Sequence, residues 1–145
     1  MEYPKLMPGQ LAFSTFDTAK IHGELPATFK TLMANGVITG GTKVQWGSGY
    51  RSVFGMTAQY RIGAFFRLKH YFRNDVAARL AQGLCVDDFA GILIVGKDRQ
   101  AIISASADQL AGLKEVVNES ETAVVVNLLM IKASVDAAIE RFYKN

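Results

Sequence analysis

Seven cations, Lys30, Lys43, Arg51, Arg61, Arg67, Lys69 and Arg73, lie between Glu24 and Asp75 with no acidic residue among them, and aromatic side chains are interleaved throughout. Side chains of this kind neutralise phosphates or carboxylates, and the rings beside them can stack on bases or bury themselves in a protein partner. The remainder of the chain holds nine Lys and Arg against thirteen Asp and Glu, so the net +3 is a +7 segment set against −4 elsewhere. Such an asymmetry predicts a surface that meets something anionic.

Other chemistry-bearing residues are sparse. His22 stands two residues from Glu24, a spacing at which a carboxylate can orient an imidazole, but no nucleophile or second carboxylate accompanies them, and a surface position is expected. His70, beside Tyr71 and Phe72, is expected to be a hydrogen-bonded core or rim histidine. Two histidines and one cysteine do not supply the four N and S donors of a structural zinc site, and Asp87-Asp88 is read as a solvated turn rather than a magnesium site. Cys85, which has no partner for a disulfide, is expected to fill a small core space. Gly40-Gly41-Thr42-Lys43 lacks the earlier glycine and the following helix of a phosphate loop, and Gly47-Ser48-Gly49-Tyr50-Arg51 lacks the third glycine of a dinucleotide fingerprint. No catalytic residue, cofactor or metal is expected.

The elements that position the cations are read from hydrophobic period. From Val44 to Phe72 the even positions are largely apolar, and the odd ones hold Arg51, Arg61, Arg67 and Lys69, with Arg73 next in the same parity. That is the alternation of strands, and its length requires the segment to fold back on itself. Gly47-Ser48-Gly49 is the expected turn, a three-residue loop that sets Trp46 opposite Tyr50. Gly55 and Gly63 mark a bulge or a further reversal. The expected product is a twisted hairpin or meander with one apolar face and one basic face, on which Phe65 and Tyr71 could stack. A helix over Tyr60 to Arg79 is the competing reading, with Ile62, Phe65, Phe66, Leu68, Phe72, Val76 and Leu80 as its stripe.

Around this segment the sequence predicts a short strand at Leu11 to Phe16 and a helix from Glu24 to Ala34, stopped by Asn35-Gly36. A short helix opening at Asn74 or Asp75 and ending at Gly83 should follow, then a hairpin from Gly91 to Ala105 turning at Lys97-Asp98. Ser106 and Gln109 are spaced as a capping box for a helix carrying Leu110, Leu113 and Val117. The β-branched run Val124-Val125-Val126 favours a strand ending near Ile131 and then a helix from Ser134, over one long amphipathic helix. The fold class is α+β: one domain over residues 1–145, with antiparallel hairpins or a meander and three to four helices packed on the sheet.

Met1-Glu2-Tyr3-Pro4 lacks the features of a secretory signal, and the longest apolar run, Ala123 to Ile131, is too short to span a membrane. A cytoplasmic location or an assembled particle is expected. The leading functional reading is a non-enzymatic structural subunit of a larger homo- or hetero-oligomeric particle, a build shared with virus and phage components, which contacts copies of itself or neighbouring subunits through the basic β-face. The alternative is nucleic-acid binding, with Arg51, Arg61, Arg67, Lys69 and Arg73 on phosphates and Phe65 and Tyr71 on bases. A third is a small-molecule or enzymatic domain with a pocket lined by Trp46, Tyr50, Tyr60 and Phe66.

Overall fold

The computed structural model describes residues 12–96, 100–104 and 122–144. Its described part is α+β with two antiparallel three-stranded sheets. The chain divides into two compact units, Met1–Gly83 with Val135–Asn145, and Leu84–Ser134.

In the first unit, β1 (Ala12–Ser14) leads directly into helix α1 (Thr15–Ile21), where the Ser14 Oγ caps the helix by accepting from the Asp17 N–H at 3.1 Å. Helix α2 (Pro26–Ala34) opens with its proline at the first position, where no amide donor is lost, and Gly36 follows it at φ 71°. Strands β2 (Thr42–Trp46) and β3 (Gly49–Gly55) form a hairpin, and β3 pairs with β1 on its other edge, giving the order β1-β3-β2. The core gathers Phe13, Phe29, Phe54 and Leu68, with Phe29 edge-on to Phe54 at 5.8 Å between ring centres.

The chain then departs from the expected meander. Helix α3 (Met56–Leu68) replaces the strand expected up to Phe72, and Arg61 and Ile62 lie within it. Ala58, Gln59, Tyr60, Ile62, Gly63, Ala64, Phe65 and Leu68 are all buried, so α3 is enclosed around most of its circumference. A helix enclosed in that way carries no clean polar stripe, and its apolar residues satisfy a period of two as readily as 3.6. Helix α4 (Asn74–Gln82) follows with Arg73 as N-cap and Gly83 as C-cap, close to the expected bounds.

The second unit holds a 3-10 turn (Val86–Ala90), β4 (Gly91–Val95), β5 (Gln100–Ser104) and β6 (Val124–Asn127), in the order β5-β4-β6. The apolar strand β4 is central, as its sequence requires, and buries Leu93 and Ile94. The expected helix around Leu110, Leu113 and Val117 lies outside the described residues. Helix α5 (Leu128–Lys144) begins six residues before the expected Ser134, because Asn127 ends the strand and its Oδ1 accepts from the Met130 N–H at 3.2 Å.

Candidate interaction surface

The register of β2 against β3 fixes the candidate surface. Trp46 pairs with Gly49, Gln45 with Tyr50, Val44 with Arg51, Lys43 with Ser52 and Thr42 with Val53. The loop is therefore two residues, Gly47-Ser48, rather than the expected three, and Trp46 does not face Tyr50. Gly47 adopts φ 60°, as a type II′ turn demands at its first central position. β1 reaches only the inner rows, pairing Ser14, Phe13 and Ala12 with Val53, Phe54 and Gly55. Among the described residues the outer rows contain two strands alone, and their side chains are exposed or half-buried.

Directly opposed residues share a face, so Val44, Trp46 and Arg51 lie together on one side, with Lys43, Gln45, Tyr50 and Ser52 on the other. The Arg51 guanidinium sits 5.3 Å from the centre of the Trp46 ring. A cation over indole at an exposed site contributes about 0.5–1 kcal/mol and holds both side chains in one orientation. Tyr50 is 73 % exposed.

The remaining expected site residues are distributed by the helix rather than gathered by a strand. Arg61 and Arg67 are six positions apart on α3, which places them about 120° apart around its axis. Arg67 is exposed in the last turn, whereas Arg61 is half-buried at a cleft of about 50 Å³ shared with Ile38, Ile62, Phe65 and Ala78. Lys69 caps α3 and lies 4.9 Å from the Phe66 ring. Arg73 is exposed and pairs with Asp75 at 3.4 Å. Phe65 is 2 % exposed and offers no face to a base, while Tyr71 is 72 % exposed. The single basic strand face over residues 61–73 does not form.

Trp46, Tyr50, Tyr60 and Phe66 do not line a common pocket. Trp46 and Tyr50 are on the hairpin, Tyr60 is buried and donates to Asp136 at 2.6 Å, and Phe66 lies 5.9 Å from the His22 ring. His70 is exposed rather than a core or rim residue, and Cys85 is exposed rather than a core filler. Asp88 accepts from the Cys85 N–H at 2.7 Å within the 3-10 turn, an ordinary local cap.

Sequence reasoning missed a buried polar bracket. Gln59 is fully buried in α3, and its amide donates to Thr18 Oγ1 at 3.0 Å. That orientation leaves Gln59 Oε1 as an acceptor 2.9 Å from His22 Nε2, so Nε2 carries the imidazole proton and donates it. Burial lowers the His22 pKa to about 4, against the opposing pull of the Gln59 hydrogen bond. The signal was present in the sequence: a glutamine in an otherwise enclosed helix must find partners.

Among the described residues, no group of three or more His, Cys, Asp or Glu is arranged to hold a metal ion, and no helix is long and apolar enough to cross a membrane. No known protein family matches the chain, and no curated protein matches it in sequence.

Proposed function

We propose that this chain is a non-enzymatic assembly subunit whose basic hairpin and neighbouring exposed cations seat against acidic surface of other subunits in an oligomeric particle. The observation that carries the reading is the outer half of the β2–β3 hairpin. Among the described residues it is two strands wide, with exposed side chains on both faces, and it sets Arg51 over Trp46 where neither side chain supports the core. Aromatic and arginine side chains held in this way are the residue types that anchor protein interfaces. The chain also carries the opposite charge outside the basic segment, including the exposed Asp87, so copies can complement one another.

Mass in solution across a salt series tests the reading. Association at low salt that weakens as salt rises, in a sample whose absorbance ratio shows no nucleic acid, is the expected result. A mass that stays monomeric throughout would overturn it. Nucleic-acid binding is the second reading, favoured by the Arg51–Trp46 pair, which offers a phosphate ligand beside a ring face. It predicts copurified nucleic acid and a monomer once that is removed.

A further inference from the structure

We propose that the turn tip Val86-Asp87 of a second copy docks at the cleft beside Arg61, the valine entering the cleft and the carboxylate meeting the guanidinium. This deepens the assembly reading and rests on it, naming one anchor of the interface and the surface that fills it.

The cleft lies within the first unit, between α3, α4 and the connection into β2. Ile38, Ile62, Phe65, Ala78 and Ala81 give it apolar walls, Arg61 is half-buried at it, and no acidic residue lines it. Its volume of about 50 Å³ decides what can enter. One water needs roughly 10–15 Å³ of such space, so the cleft takes about three to five non-hydrogen atoms. The isopropyl group of a valine fits, and the ring of a phenylalanine or tryptophan does not. A guanidinium beside that space selects an apolar group with a carboxylate next to it. Arg61 has contacts of its own within the fold, and its five N–H donors allow it to serve a further acceptor.

The 3-10 turn presents that combination. Leu84 and Phe89 are buried on either side of it, and Asp88 Oδ2 accepts from the Cys85 N–H at 2.7 Å, so the turn is held at both ends. Between them Cys85, Val86 and Asp87 are exposed, Val86 by 49 %. Of the other exposed non-aromatic apolar side chains among the described residues, Val125, Leu129 and Met130 have no acidic neighbour in the chain, and Leu25 follows a Glu24 that is half-buried. A preformed tip entering a preformed cleft loses little conformational freedom on docking. Because tip and cleft are different surfaces, the contact can repeat from copy to copy, as a particle requires.

Mass in solution at low salt, measured on the full chain, reads the contact. Val86→Ala should weaken association about tenfold through the loss of two buried methyl groups, and Asp87→Lys at least as much through charge reversal. Both positions are exposed, so thermal unfolding of either variant should match wild type. Leu25→Ala trims a more exposed side chain and should leave association unchanged. Arg61→Glu should weaken association and Asp87→Lys in the same chain should restore it, because damage to α3 would not respond to a change on the turn. Should Arg61→Glu fail to fold, Cys85 decides. It is the only cysteine in the chain, and its alkylation should slow several-fold as the protein concentration enters the associating range. If wild type associates but Val86→Ala and Asp87→Lys associate equally well, or Leu25→Ala weakens association in their place, or the charge swap gives no rescue, or Cys85 reacts at one rate throughout, the tip contact is wrong and the assembly reading stands. A wild type that is monomeric at every salt overturns both.

Discussion

His22 shows how a single side chain ties local chemistry to stability. Its ring donates to Gln59, which in turn donates to Thr18, so the last turn of α1 is fastened to the enclosed face of α3. Protonation must occur at Nδ1 in a desolvated position, and the folded pKa drops from 6.5 to about 4. Between those values the unfolded chain binds the proton and the folded one does not, so stability is complete above about pH 6.5 and declines as pH falls towards 4. The upper limit of that loss is about 3 kcal/mol, reduced to the extent that water reaches the ring. Denaturant unfolding at neutral and acidic pH checks this: His22→Gln should flatten the acid-side slope, and an unchanged slope would remove His22 from the account.

At the scale of elements, the connection from α2 into β2 gives a physical reason for glycines that invite a phosphate-binding reading. Gly40 adopts φ 93°, and a Cβ at Gly41 would lie 3.0 Å from the ring of Phe54, which is fully buried and cannot swing away. Gly41→Ala should therefore destabilise the protein by about 1–3 kcal/mol through overpacking, read as a lowered midpoint of thermal unfolding; an unaltered midpoint would show that the Phe54 environment yields. Elements were legible where one period or one cap dominated, as with Pro26 and Asn35-Gly36 around α2, or the apolar run of central β4. They were illegible where enclosure removed the contrast between faces. α3 is the clear case, since its apolar residues are numerous enough to satisfy either period, and the basic face inferred from strand parity dissolved with it. The hairpin itself was legible, but its loop length was not: Gly47-Ser48-Gly49 permits two or three residues, and only the observed register shows that Arg51 shares a face with Trp46.

For the whole molecule, the charge asymmetry survives the loss of the strand face because it belongs to the segment rather than to one element. Residues 25–74 contribute seven cations and no acid wherever their side chains point, and Lys43, Arg51, Arg67 and Arg73 are exposed. Arg51 and Arg67 are the positions to reverse, since both are exposed, whereas Lys69 is half-buried and Arg73 already pairs with Asp75. The Arg51→Glu, Arg67→Glu double variant should remain folded, losing no more than the about 0.5–1 kcal/mol of the Arg51–Trp46 contact, because solvated charges otherwise contribute little to stability. Its larger assemblies should weaken at low salt, and the gap from wild type should close as salt rises, since screening removes the attraction that the reversal deletes. Sedimentation at low and high salt checks this: assembly as strong as wild type at low salt would mean that the basic segment keeps the protein soluble rather than joining it to an acidic partner.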